Sequence, residues 1–207
     1  MKWIATIIRI IFLALFLIIT LQGNMMLWLV FFLVSLIAAI FFGRLYCGYA
    51  CPMNTVMILV EWVSKKLKVQ SSNSPKWLSK GLFPWIFLVA SIALVIISKK
   101  VIKQNIPILF IWLFISVLVT LRYKPAVFHN LICPFGALQK TLGRFALFSK
   151  QVNKSSCIGC KKCEKVCPSD AIEVKEDNKA IISANFCHQC TNCSDVCPVS
   201  AINYSKR

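Results

Sequence analysis

The chain has 207 residues, 58% of them hydrophobic, and a mean hydropathy of +0.71. That excludes a disordered chain and is too apolar for an ordinary soluble domain. The formal charge is +17, from 24 Lys and Arg against 7 Asp and Glu; with long apolar runs beside it, this excess points to a membrane surface rather than to nucleic acid.

The charge is unevenly placed. Residues 1–154 carry 17 basic groups and one acid, Glu61, whereas residues 155–207 carry 7 basic and 6 acidic groups. Hydropathy falls at the same place, so a boundary is expected near Lys150–Ser156, with a membrane domain over 1–150 and a small polar domain over 151–207. Four apolar runs are long enough to be read as transmembrane helices: Trp3–Leu21, Met25–Phe42, Gly81–Ser98 and Pro107–Leu121. The first has too long an apolar run for a secretory signal and no small-residue cleavage site after it, so it reads as a retained anchor. Arg9 lies inside it and either snorkels to the interface or faces a buried pocket. Trp28, Trp62, Trp77, Trp85 and Trp112 read mostly as interface anchors.

Loop charge gives the orientation. Lys65, Lys66, Lys68, Lys76 and Lys80 follow the second run, and Arg122, Lys124, Lys140, Arg144 and Lys150 follow the fourth. Positive loops face the cytoplasm, which puts both termini and the polar domain on the cytoplasmic side of the cell membrane. Lys99, Lys100 and Lys103 oppose this, falling on the outer side.

The second run closes on R-L-Y-C-G-Y-A-C-P, residues 44–52, and the fourth is followed by H-N-L-I-C-P-F-G-A, residues 129–137. Cys47 and Cys51 share the i, i+4 spacing of His129 and Cys133, and both pairs are offset by 82. On a helix that spacing places both side chains on one face. A duplicated unit of two spans plus a ligand-bearing segment follows, with Cys47, Cys51, His129 and Cys133 as candidate ligands of a membrane-edge metal centre. Inert buried cysteines, or a histidine serving as proton acceptor for a quinol, are the alternatives.

The polar domain carries the most specific signal. Residues 157–168 and 187–198 each read C-x2-C-x2-C-x3-C-P, repeating after 30 residues. Three closely spaced thiolates supply three corners of a cage, and the cysteine before proline ligates the other cluster. One 4Fe–4S cluster is therefore assigned to Cys157, Cys160, Cys163 and Cys197, and the second to Cys187, Cys190, Cys193 and Cys167. Zinc sites use paired cysteines, and disulfides conflict with a reducing compartment. Two short strands, Ala171–Val174 and Ala180–Ile182, are expected around an Asp177–Asn178 turn, with short helical turns after Pro168 and Pro198. Lys161, Lys162 and Lys165 form either a solvated face or a surface steering an acidic electron partner.

The four spans, the R-x-x-C-G-x-x-C-P and C-P-x-G-A segments and the terminal two-cluster domain together resemble the membrane-bound polyferredoxins. That group includes the quinol-dehydrogenase membrane subunit of periplasmic nitrate reductase systems, the nitrous-oxide-reductase maturation protein and the cytochrome-oxidase accessory polyferredoxin. The resemblance implies a four-helix membrane domain with an α+β two-cluster ferredoxin domain. It also implies electron transfer between quinol or quinone and a partner redox protein. The family pattern has C-x3-C-P twice; here His129 replaces the first cysteine of the second copy. No nucleophile–base constellation is present, so an electron-transfer subunit is expected rather than a self-contained enzyme. A maturation protein that reduces a metal or cofactor, and a redox sensor, are the alternative readings.

Overall fold

The computed structural model describes residues 2–71, 78, 81–102 and 107–207. The apolar runs are helical, since a chain in hydrocarbon must satisfy its backbone N–H and C=O groups within itself. In order they are α1 (Lys2–Leu21), α2 (Met25–Phe42), α3 (Pro52–Lys66), α4 (Phe83–Ile97), α5 (Ile108–Arg122), α6 (Pro125–Leu131) and α7 (Pro134–Gly143). Two π-helical turns interrupt them, Tyr46–Ala50 before α3 and Ser98–Ile102 after α4. Among the described residues three stretches are long and apolar enough to cross a membrane: Trp3–Leu21, Met25–Phe42 and Phe83–Val101. Their surfaces are apolar, with Ile4, Leu33 and Val89 all exposed, an arrangement that suits lipid and not water.

The fourth run keeps its expected length as a helix of 15 residues, Ile108–Arg122, about 22 Å long and so shorter than the ~30 Å hydrocarbon core. The third span continues to Val101, so Lys99 and Lys100 lie in its last turn. Lys76, Trp77, Lys80 and Lys103 lie outside the described residues.

The chain forms two compact units, Met1–Cys51 with Gln139–Arg207, and Pro52–Leu138. In the first, α1 and α2 pack through aromatic rings, Phe16 edge-on to Trp28 at 5.1 Å, and α2 packs on the π-helical turn, Phe32 edge-on to Tyr46 at 5.2 Å. Trp28 is buried and its indole N–H donates to the Tyr46 hydroxyl at 3.0 Å. It is therefore a core residue and not an interface anchor: the indole finds its polar partner inside the protein.

The remainder of this unit is a small α+β domain. β1 (Phe148–Val152) pairs antiparallel with β4 (Ile202–Lys206), and β2 (Ile172–Val174) with β3 (Ala180–Ile182), Ile172 opposite Ile182. The β2–β3 turn forms as expected, with Asn178 left-handed (φ 54°) and the Asp177 carboxylate accepting the Lys179 N–H at 3.0 Å. The helical turns α8 (Lys162–Lys165) and α9 (Asn192–Asp195) precede Pro168 and Pro198 instead of following them. Left-handed Asp170 and Ser200 (both φ 48°) turn the chain out of a helical path just after each proline. Strand β1 was not foreseen. It ties the domain to the end of α2: the Leu147 N–H donates to the Ile40 carbonyl at 3.2 Å, the Tyr204 hydroxyl donates to the Phe42 carbonyl at 3.1 Å, and Phe148 stacks on Phe42 at 6.1 Å.

In the second unit α3 and α5 pack side by side, and the Ser64 hydroxyl donates to the Leu121 carbonyl at 2.7 Å. Trp112 is buried, its indole N–H donating to the Ser91 hydroxyl at 3.0 Å, so it too is a core residue rather than an anchor.

Candidate metal centres

The core of the small domain is made of the cysteines themselves. Cys163 and Cys193 pack with Ile172, Ala180 and Ile202, and Cys157, Cys167 and Cys197 lie against that cluster. A domain with so few large apolar side chains needs another source of folding free energy, and ligand cysteines at its centre indicate metal binding as that source.

The cysteines of the small domain fall into two groups. Cys157, Cys160, Cys163 and Cys197 line one cavity. Cys167 lies close enough to Cys187, Cys190 and Cys193 to act electrostatically on all three. Each set thus takes three thiols from one loop and the fourth from the other. None of the eleven cysteines is in a disulfide. Among the described residues no three His, Cys, Asp or Glu side chains gather tightly enough for a single ion.

Backbone N–H groups are already directed at sulfur. Ala171 N–H donates to Cys167 Sγ and Ala201 N–H to Cys197 Sγ, both at 3.3 Å, the same bond repeated after 30 residues. Gln189 N–H donates to Cys187 Sγ at 3.4 Å. Such donors favour the thiolate and raise a cluster's potential. The donor set and its hydrogen bonds fit a 4Fe–4S group in each position.

Burial differs in degree between the sets. Cys187, Cys190 and Cys193 are buried and Cys167 half-buried, whereas Cys160 is exposed, Cys157 and Cys197 half-buried and Cys163 buried. Burial pushes the Cys187 thiol up to about 12 and the Cys193 thiol up to about 11, with neighbouring cysteines adding to the effect. Cys157 moves the other way, held down by backbone hydrogen bonds from Ala180 and Gly159.

The Cys187–Cys193 loop lies against the membrane-edge segment of its own unit. A Cβ on Gly48 would overlap the His188 carbonyl oxygen. The Tyr49 hydroxyl donates to the Gln189 carbonyl at 3.3 Å, and Arg44 Nη1 donates to the Asn185 carbonyl at 3.4 Å. Gln189 is left-handed (φ 56°) at the position matched by Gly159 in the other repeat (φ 68°). Side-chain bonds offset that strain: its amide donates to the Ser149 hydroxyl and accepts the Lys150 N–H, each at 2.9 Å. Arg9, half-buried, donates from Nε to the Gly48 carbonyl at 2.8 Å, so its guanidinium reaches the membrane-edge turn.

The membrane-edge pairs show matching local geometry within their separate units. Cys51 N–H donates to the Tyr46 carbonyl and Cys133 N–H to the Phe128 carbonyl, both i to i−5 bonds of 2.8 Å. Each cysteine then precedes a proline that starts a helix, α3 at Pro52 and α7 at Pro134. The wide turn corrects the expectation of a regular helical face: Cys47 sits in a π-helical turn and Cys51 just beyond it. Cys47 and Cys51 belong to the first unit, and His129 and Cys133 to the second; all four are buried. Arg44 Nη2 donates to Cys47 Sγ at 3.6 Å, and the His129 ring bonds the Asn54 side chain at 3.2 Å. Spacing alone did not reveal Arg44, Gly48 or Gln189; the only trace was the unexplained R and G of the 44–52 motif and a non-glycine at 189.

Comparison with known families agrees with these motifs. A family described as "4Fe-4S binding domain" matches residues 24–70 and 105–155, and one described as "4Fe-4S dicluster domain" matches residues 150–204. The methylamine utilization ferredoxin-type protein MauN of Methylobacillus flagellatus is 31% identical over 144 residues, 62% of this chain and 50% of the relative. The ferredoxin-type protein NapH of Haemophilus influenzae is 24% identical over 173 residues, 75% of this chain and 60% of the relative. An uncharacterized protein of Methanocaldococcus jannaschii is 27% identical over 140 residues, 66% and 56%. The chain spans about half the length of the curated relatives it matches. No solved structure matches.

Proposed function

The chain belongs to the membrane-bound polyferredoxins, and from that premise we propose that it is a membrane-anchored electron-transfer protein. It passes electrons between quinol or quinone in the membrane and a partner redox protein. The observation that carries this reading is the crossed arrangement of two four-cysteine sets, with backbone N–H groups directed at their sulfurs. When bound, 4Fe–4S clusters supply one-electron chemistry over potentials of about −700 to +450 mV, set by charge, hydrogen bonding and exposure.

The chain's own residues then have defined tasks. Cys157, Cys160, Cys163 and Cys197 hold one cluster, and Cys187, Cys190, Cys193 and Cys167 the other. Ala171, Ala201 and Gln189 N–H groups stabilise charge on the ligand sulfurs. Arg9 and Arg44 bring positive charge to the loop of the buried set. Residues 1–150 form the anchor, with Ile108–Arg122 as a fourth, short span, and residues 151–207 the ferredoxin domain on the cytoplasmic side with both termini. The 82-residue repeat and its shared wide turn support a metal or redox role for the Cys47/Cys51 pair and for the His129/Cys133 pair, each within its own unit.

Iron and sulfide analysis with EPR on anaerobically purified protein tests this. About eight iron atoms establish the two ferredoxin clusters. A surplus of iron that disappears in Cys51→Ala or in His129→Ala assigns it to that pair, and the appearance of reduced-cluster EPR signals on adding a quinol analogue establishes the donor. Iron-free protein overturns the function; clusters that no quinol reduces overturn the quinol assignment.

A further inference from the structure

The two halves of the ferredoxin fold differ where a 30-residue repeat would make them alike. The loop of Cys187, Cys190 and Cys193 is buried beneath the Tyr46–Ala50 turn, through Gly48 and Tyr49. The other set opens outward. Cys160 is exposed, and two apolar side chains line the same cavity and reach solvent, Ile158 (61% exposed) and Val199 (38%).

Charge follows the same division. Residues 153–168 hold four lysines and one glutamate; the matched residues 183–198 hold no lysine or arginine and one aspartate. Lys161 and Lys162 line the cavity of the open set and are exposed, and Lys165 is exposed on the same short helix as Cys163; among the described residues the ion pair formed is Lys65 with Glu61, not one of these three. An apolar centre with a rim in which lysines outnumber the acids Glu164 and Asp177 is the composition of a transient protein interface, in which the charges guide encounter and the apolar contact completes it.

We propose that Ile158 and Val199, ringed by Lys161, Lys162 and Lys165, are the docking surface for a soluble redox protein with an acidic face. The buried set is then the membrane-side cluster and the open set the partner-side cluster. This rests on the reading that both cysteine sets hold clusters. It concerns binding, and the direction of electron flow does not enter.

The test uses the full chain in nanodiscs, prepared anaerobically, with iron content and EPR recorded first. An acidic flavodoxin and a basic cytochrome c are titrated against it at low and raised salt. The expected result is preferential, salt-sensitive binding of the flavodoxin, weakened about tenfold or more in K161E/K162E/K165E. Cytochrome c gains affinity in the same variant. Because the variant leaves the basic membrane loops intact, attraction to those loops does not produce this pattern. In I158S/V199S flavodoxin binding weakens while its salt dependence is kept. Equal affinity for the two probes, or an unaltered triple variant in protein carrying both clusters, overturns the docking surface alone. Iron-free protein overturns the cluster reading and the docking surface with it.

Discussion

Gly48 abuts the main chain of His188 so closely that no side chain fits between them. The clashing atom is a carbonyl oxygen, which cannot swing aside as a side chain would. The contact joins the turn that ends the second span to the loop bearing Cys187 and Cys190, so the position of one fixes the other.

Gly48→Ala is therefore expected to disturb the joint by about 1–3 kcal/mol, the usual cost of overpacking. Iron should fall from about eight atoms toward four, with the EPR signal of the Cys187 set lost and that of the Cys157 set kept. Thermal unfolding and iron analysis of the same preparation check this.

Exchange of the fourth ligands gives a crossed result. Cys167→Ser should remove the cluster held by Cys187, Cys190 and Cys193, and Cys197→Ser the one held by Cys157, Cys160 and Cys163. Each variant should retain about four iron atoms. If either serine abolishes the cluster of its own loop instead, the crossed assignment is wrong.

Arg44 is fully buried, between the Asn185 carbonyl and Cys47 Sγ. The sulfur it reaches is Cys47, and a second bond runs to the segment that leads into Cys187. A buried cation favours an added electron, and neutral Arg44→Met should lower the potential of the Cys187-set cluster while leaving the other unchanged. EPR-monitored redox titration reads the shift, with Arg144→Met as control.

Loading with iron should depend on pH differently in the two sets. Iron binds thiolate, so a thiol with a raised pKa must give up its proton on ligation, and affinity rises with pH until that pKa is passed. For Cys187 and Cys193 this rise continues toward about 12 and about 11. For Cys157, shifted below its ordinary value, it ends sooner. On acidification the buried set should release iron first. Competition with a chelator between about pH 7 and 9 measures the difference in slope.

The cluster type was legible in the sequence because it is written in local spacing: C-x2-C-x2-C-x3-C-P is the pattern of a 4Fe–4S dicluster domain. Apolar runs located the helices, and the run at Pro107–Leu121 became a helix of the same length, 15 residues, shifted by one. Trp28 and Trp112 were misplaced because composition does not say whether an indole N–H meets headgroups or, as here, the Tyr46 and Ser91 hydroxyls.

By itself the sequence determined that this chain carries long apolar runs and two four-cysteine motifs of 4Fe–4S type, since hydropathy and cysteine spacing are properties of adjacent residues. Only the tertiary structure decided which cluster set lies against the membrane-edge turn and which opens to solvent. That asymmetry arises from contacts between residues about 140 positions apart, Arg44 with Asn185 and Tyr49 with Gln189. Nothing in the pattern of either partner specifies the other, because packing acts on neighbours in space.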